Sequence, residues 1–451
     1  MKQRILVVGG LAAGPSAASK AKRVNPNADV TLFEGGEHIS YGICEVPYYV
    51  GGIVNDPDHL ISYTPQRLEK EKGVKVKTLH LVEGIDPVRK KIVVRDLLRD
   101  KLAEHPYDKL ILATGSMPRS LGLSGEKGRN VFNVKSLDQG LAIKQFIDQE
   151  HPRRALIIGG GYIGMELAEA LRNHEMQTTL LHRGDLPMSG LENETRLAVK
   201  QELEKHGVAF VSRSHVQELR SDTTGKVVEV MASTGAYEAD LVILSLGVEP
   251  QTTLAKAARI RVGRYGGIQT DQRQATSIDS IYAAGDCCEI RNVVNNAWMY
   301  IPLATTASKQ GWVAGENAAG GRAVFKGVIR AIAVKVFDQE IAQVGISSQE
   351  AAESGFDVVT ESITANSRVG FMPANAKVHL TLIADKRSKR LLGANIFGED
   401  GAVLRANTLG VAIQQHLTID QLARLDLIYT PPYSPLWDPI LIAANQIGKR
   451  L

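Results

Sequence analysis

The stretch RALIIGGGYIGMELAEALRNH, residues 154 to 174, decides the fold. Leu156 to Ile158 read as a buried parallel strand, and Tyr162 to Arg172 carry helical spacing. Between them Gly159, Gly161 and Gly164 complete G-x-G-x-x-G. Toward the N-terminus, RILVVGGLAAGPSAASKAKR, residues 4 to 23, repeats the layout, with Ile5 to Val8 as strand and Ala12 to Arg23 as helix. It keeps Gly9 and Gly14 but has Leu11 in the middle position. One such fingerprint is often a chance match. Two strand-turn-helix units in one chain are a pattern, because each lets backbone N–H groups and a helix N-terminus approach a pyrophosphate. Two bound dinucleotides are implied.

The residue ending the second strand of each unit says which dinucleotide. DVTLFEGG places Glu34 where a carboxylate accepts hydrogen bonds from ribose hydroxyls, which suits FAD. QTTLLHRGD places His182 and Arg183 at the corresponding point, with no acid before Asp185. An arginine pairs with a 2′-phosphate that a carboxylate would repel, so NADPH is favoured over NADH. An exposed turn with an incidental arginine is the alternative. Between the units, YDKLILATGSMPR ends a buried strand at Thr114 and Gly115, and SIYAAGDCCEI ends another at Gly285 and Asp286. Combined with the paired fingerprints, this order of parts is what a two-dinucleotide flavoprotein needs, and Asp286 would then hold the ribityl chain of FAD.

The chain of 451 residues exceeds what one hydrophobic core serves. The expected architecture is α/β, with two Rossmann-like domains and, from about Val324, an α+β module. Boundaries fall at 1–118 with 250–323 for the FAD-binding domain, 119–249 for the NAD(P)H-binding domain and 324–451 for the last module. A net charge of +4 is too small to argue for nucleic acid. No apolar run approaches the roughly 20 residues of a membrane span, and the N-terminus enters a strand without a signal-peptide pattern. Three cysteines form no disulfide framework and no zinc spacing, so no metal is expected and the cytoplasm is the expected compartment. The tail DLIYTPPYSPLWDPILIAANQ reads either as a subunit contact or as a core-capping segment.

Cys44 stands alone in SYGICEVPYYVGG, with Cys287 and Cys288 far along the chain. Together with GGLAAG, ATG at 113 to 115, GGGYIG, LGVEP containing Gly247, AAGD, IPLATTASKQG and YTPPYSPLWDP, this order of motifs resembles the single-cysteine pyridine nucleotide-disulfide oxidoreductases. The closest likeness is to coenzyme A-disulfide reductases and their NADH oxidase and persulfide reductase relatives, which share the glutathione reductase-like fold. The resemblance implies FAD, a nicotinamide cofactor, a C-terminal dimerisation domain and a homodimer. Two-cysteine members of the family carry their second cysteine where this chain has Tyr49, so Cys44 would cycle alone against the flavin. Its context suggests the start of a short helix, whose dipole would favour the thiolate, while Glu45 pulls the other way.

Further roles follow from the same resemblance. Tyr162 would gate the nicotinamide and Glu166 would orient it. Tyr429 would reach the cysteine from a second subunit as a proton donor, with Tyr433 as the alternative. Ser40, Lys20, Lys22 and Arg23 would meet coenzyme A, as substrate or product, although a solvated helix face explains the lysines equally well. Vicinal Cys287 and Cys288 read as small buried side chains, because adjacent cysteines close only a strained ring. The chain also departs from its relatives. Oxidases and peroxidases carry a histidine where Ala12 stands, which disfavours reduction of O2 or peroxide. Ile43, Glu45 and the VGFMP run at 369 to 373 differ around the expected substrate pocket. Reduction of coenzyme A disulfide or a related small disulfide is therefore the first reading. Coenzyme A-persulfide or polysulfide reduction is the second, with NADH oxidase as a further alternative. A non-catalytic redox-sensing flavoprotein is the reading from another class.

Overall fold

A computed structural model describes residues 2–451. Apolar runs that no turn residue interrupts become the central strands of two parallel sheets, in which both faces are covered. In the first sheet the order is Ile281–Ala283, Lys109–Leu112, Arg4–Val8, Asp29–Phe33 and Lys75–Lys77. In the second it is Val131–Asn133, Leu241–Leu244, Arg154–Ile158, Gln177–Leu181 and Val208–Val211. Register is equivalent in the two: Val8 pairs with Phe33, and Ile158 with Leu181. Each sheet is therefore one copy of the same design, fingerprint strand near the middle and carboxyl-side turn facing the ligand crevice. The copies differ in where their outer strand comes from, last in sequence for the first sheet and first for the second.

Each unit also inserts a three-stranded antiparallel sheet, spanning His80–Pro106 before the Lys109–Leu112 strand in one and Val216–Glu238 before the Leu241–Leu244 strand in the other. The Ala13–Val24 helix packs against the Ala304–Ala318 helix with almost no separation: a Cβ on Gly311 would lie 2.2 Å from the Ala13 carbonyl oxygen, and one on Gly315 2.1 Å from that of Ala17. The chain leaves the first unit and returns to it through one antiparallel pair, Ser116–Pro118 against Val248–Pro250. This pair draws the end of the ATG turn and Gly247 to one place.

From Ala331 the chain forms a five-stranded antiparallel sheet, with helices Val403–Gln414 and Pro439–Gly448 packed on it. A buried ion pair, Arg405 Nε to Asp438 Oδ2 at 2.8 Å, ties the two helices together. Arg405 also donates to the carbonyls of Ser367 and Gly401, and Asp438 caps the second helix through the Ile440 N–H (2.9 Å). No helix among the described residues is long and apolar enough to cross a membrane.

Candidate active site

The two fingerprints fold as dinucleotide cradles, and their glycines divide by physical cause. A Cβ on Gly9 would lie 2.1 Å from the Ala113 carbonyl oxygen and one on Gly159 2.1 Å from that of Ser245. Gly14 and Gly164 are closed in the same way by the carbonyls of Gly9 and Gly159. The protein itself forbids side chains there. Gly161 is different, because a Cβ on it would meet nothing within 4 Å. That open space lies at the start of the Tyr162–Asn173 helix, whose N-cap has no side-chain partner, and the Ala13–Val24 helix is likewise uncapped. Unpartnered N–H groups facing free space fit a pyrophosphate. Gly115 and Gly247, both at positive φ, also leave open space on their Cβ side.

Glu34 accepts from Gly10 N–H (2.6 Å) and Gly36 N–H (2.8 Å), which fixes its carboxylate at the mouth of the first unit. His182 occupies the parallel position in the second unit, its Nδ1 accepting from Gly160 N–H at 3.2 Å. Burial, then the charges of Arg196 and Arg183, hold the His182 imidazole below its usual value and thus neutral. The backbone of Leu186 pulls the ring's value the other way, more weakly than the causes that lower it. Arg183 is exposed and has no hydrogen bond or ion pair among the described residues, whereas Asp185 is taken by Arg213.

Cys44 lies in a 3-10 turn, Ile43–Glu45, that leads into the short Val46–Val50 helix. It is exposed, whereas Cys287 and Cys288 are buried with their sulfurs 3.8 Å apart and unbonded. Tyr49, where a second cysteine would stand, is buried. Cys44 stands just before the Val46–Val50 helix, as expected, with Glu45 beside it. The thiol is pushed above its ordinary value, first by the protein mass around it, then by Glu166 and Glu45 and more weakly by Asp286, with Lys135 alone opposing. Solvent does reach the residue, so enclosure is the weaker argument, but the carboxylates push the same way without it.

Asp286 accepts from Ser116 Oγ (3.0 Å) and Lys135 Nζ (3.2 Å), so it joins the end of the ATG turn to the start of the second unit. Thr114 donates its hydroxyl to the Gln251 carbonyl (2.7 Å), and Gly285 N–H is held by Gln310 (3.0 Å). Tyr162 and Glu166 begin the Tyr162–Asn173 helix, both half-buried. Burial and the neighbouring Glu169 push the Glu166 carboxyl up to about 7. Ser40, at φ 49°, donates its N–H to the Gly10 carbonyl (2.8 Å) beside the first cradle.

Other expected residues lie elsewhere. Lys20 is spent on Glu316 (2.9 Å) and on the face of Trp312, and Lys22 on the carbonyls of Pro26 and Ala28. Of the three basic residues on that helix, Arg23 alone is exposed and unpaired among the described residues. No hydrogen bond joins Tyr429 or Tyr433 to the Cys44 group within one chain, among the described residues. They belong to an apolar patch with Ile428, Leu436, Trp437 and Phe371, in which Tyr433 is 76% and Phe371 82% exposed. The 369–373 run reaches this patch through Val369 N–H to the Pro431 carbonyl. Reading the residues alone missed Lys135, Glu169 and Lys335. The first precedes a helix with no motif around it, and the pairing of the other two spans 166 residues.

Residues 3–311 match the pyridine nucleotide-disulphide oxidoreductase family and residues 332–439 its dimerisation domain. The NAD(P)H coenzyme A polysulfide/persulfide reductase of Pyrococcus horikoshii is 34% identical over 99% of this chain and 98% of its own. The coenzyme A disulfide reductase of Staphylococcus haemolyticus is 29% identical over 99% of both. A solved NAD-dependent persulfide reductase from A. fulgidus superposes with a TM-score of 0.96 at 36% identity, over 99% of this chain and 84% of that one. With both dinucleotide cradles formed and the C-terminal module in place, this chain belongs to the pyridine nucleotide-disulphide oxidoreductase family, as a flavoprotein that uses NAD(P)H.

Proposed function

We propose that the chain reduces coenzyme A disulfide, or a closely related small disulfide, through Cys44. The observation that carries this reading is the position of the one exposed cysteine. It lies where Asp286 from the first unit, Lys135 at the edge of the second and Glu166 on the fingerprint helix all bear on one sulfur. When bound, the nicotinamide supplies a hydride and the flavin passes the electron pair on to sulfur. The protein's part is to present a thiolate. Cys44 attacks one sulfur of the disulfide, forming a mixed disulfide and releasing the first thiol, and reduction of that bond releases the second. The balance is NAD(P)H + H⁺ + RSSR giving NAD(P)⁺ + 2 RSH. With no second cysteine nearby, the mixed disulfide stays on Cys44 until the electron pair arrives.

Glu34 and the first fingerprint would hold the adenosine end of FAD, and Gly285, Asp286, Thr114 and Gly115 its inner part. Gly159, Gly161, Gly164, His182, Arg183 and Gly247 would hold NADPH, because the neutral His182 does not repel a 2′-phosphate and Arg183 is free to pair with it. The functional unit is read as a homodimer in which a second copy covers the patch around Phe371 and Trp437, and Tyr429 of the partner subunit supplies a proton near Cys44. Ser40 and Arg23 remain as contacts for coenzyme A. A second reading, reduction of a coenzyme A persulfide or polysulfide, is favoured by the higher identity to the P. horikoshii reductase (34%) than to the S. haemolyticus one (29%). Both readings break a sulfur–sulfur bond at Cys44.

The test is steady-state NAD(P)H oxidation with coenzyme A disulfide, coenzyme A persulfide, polysulfide, glutathione disulfide and O2, in the unsubstituted protein and in Cys44→Ser. Coenzyme A disulfide should give the highest kcat/KM, and Cys44→Ser should abolish the disulfide-dependent rate. A preference for glutathione disulfide would remove the coenzyme A assignment; an unimpaired serine variant would remove the thiol mechanism.

A further inference from the structure

Asp286 follows the outer strand of the first sheet, Ile281–Ala283, and Lys135 follows the outer strand of the second, Val131–Asn133. The two residues lie 151 positions apart in sequence, yet Lys135 Nζ is 3.2 Å from Asp286 Oδ2. Ser116 Oγ reaches the same oxygen at 3.0 Å, from the strand by which the chain leaves the first unit. Three segments thus close on one carboxylate oxygen, and both charged side chains are only 17% exposed. The lysine's backbone is held as well. Its N–H donates to Gln139 Oε1 (2.7 Å) on the Leu137–Glu150 helix, whose N-cap Ser136 accepts from the Gln139 N–H. A carboxylate this enclosed needs a cation, and Lys135 is the one it pairs with among the described residues. The other oxygen, Asp286 Oδ1, has no hydrogen bond among the described residues. Gly115, next to Ser116, leaves open space within 4 Å on its Cβ side. One oxygen is clamped and the other is left free, at a turn with room for a ligand.

We propose that Lys135 is a positioning residue for FAD, acting through Asp286: it fixes the carboxylate so that Oδ1 is free for the ribityl hydroxyls, and it cancels a negative charge that would otherwise face an anionic cofactor. The inference rests on reading Asp286 as the acid that holds the ribityl chain, and it extends the flavin site across the joint into the NAD(P)H-binding unit. Two physical effects act in the same direction. The first is orientation: a carboxylate without its clamp rotates about its terminal torsion, and ordering it when the cofactor binds costs affinity. The second is charge. FAD carries two negative phosphates, and an unpaired Asp286 adds a further negative charge where little solvent is present to screen it. Because the lysine belongs to the second unit, holding FAD and holding the two units together become one event, and each stabilises the other.

The experiment is the rate of FAD release from the holoenzyme, followed by the fluorescence of free FAD at one fixed temperature, in a double-mutant cycle. Lys135→Met should speed release about tenfold, the lower end for losing a hydrogen bond to a charged group. Lys135→Arg keeps the cation and should stay within about threefold of the unsubstituted protein. Asp286→Asn should also speed release. Adding Lys135→Met to it should change that rate by less than about twofold, since the lysine then has no carboxylate to act through. Release at the unsubstituted rate in Lys135→Met, or the same acceleration in both backgrounds, overturns the proposal. The second result is what a lysine that merely steadies the fold would give. If Asp286→Asn itself retains FAD as the unsubstituted protein does, the placement of Asp286 fails and the proposal with it. A fast Asp286→Asn beside an unchanged Lys135→Met removes the proposal alone.

Discussion

Exchanging His182 for Glu should turn the second cradle from NADPH toward NADH, and the first cradle supplies the reason. There Glu34 accepts Gly10 N–H at 2.6 Å and, being a carboxylate, retains acceptor capacity for ribose hydroxyls. His182 accepts the equivalent Gly160 N–H at 3.2 Å with its one acceptor nitrogen. Among the described residues no carboxylate takes the place of Glu34 there, and the nearest acid in sequence, Asp185, is paired with Arg213. A carboxylate in His182→Glu would regain one ribose hydrogen bond, about 1 kcal/mol in favour of NADH. It would also oppose the phosphate: a unit like charge at about 5 Å and an effective dielectric near 40 costs about 1.7 kcal/mol. The sum, about 2.7 kcal/mol, is a change of roughly two orders of magnitude in preference. Arg183→Ala should cost about tenfold in NADPH affinity alone, toward the lower end for a charge-assisted hydrogen bond because the residue is exposed. The assay is calorimetric titration of the holoenzyme with 2′,5′-ADP and 5′-AMP, which carry the discriminating part of each cofactor without reducing the flavin. An unchanged ratio of the two affinities in His182→Glu would refute the reasoning.

Gly315→Val should expel the Ala304–Ala318 helix from its seat, since even a Cβ there meets the Ala17 carbonyl at 2.1 Å; the purified protein should show a reduced flavin-to-protein absorbance ratio. Arg405→Ala leaves Asp438 buried and unpaired in the C-terminal module, at a cost of about 3 kcal/mol or more, so the apparent Tm should fall by at least about 6 °C by differential scanning calorimetry. Phe371→Asp places a charge in the exposed apolar patch and should yield a monomer by light scattering while leaving the fold intact by circular dichroism.

The two cradles were legible because a fingerprint is local. Strand, glycine turn and helix lie within about 20 residues, and each residue's role follows from how closely backbone or ligand approaches it. Glu34 and His182 were found by the same logic, since both end the strand beside the fingerprint strand. The thiol was harder. Its position could be read from SYGICEVPYYVGG, and so could the opposing Glu45, but not the push from Glu166 and Asp286, which come from other parts of the chain. Lys20 and Lys22 were legible as charges and illegible as paired charges, their partners being a glutamate on a distant helix and carbonyls of the following turn.

The sequence by itself determined two parallel α/β units, the kind of ligand each takes, and the solitary thiol, because these depend on neighbours a few residues apart. Tertiary structure decided which acids and bases bear on that thiol, that Lys20 and Lys22 are already paired, and that the C-terminal sheet reaches the Tyr162–Asn173 helix through Lys335 and Glu169. The physical reason is that charge acts through space: the field at Cys44 is a sum over residues that only folding brings within range.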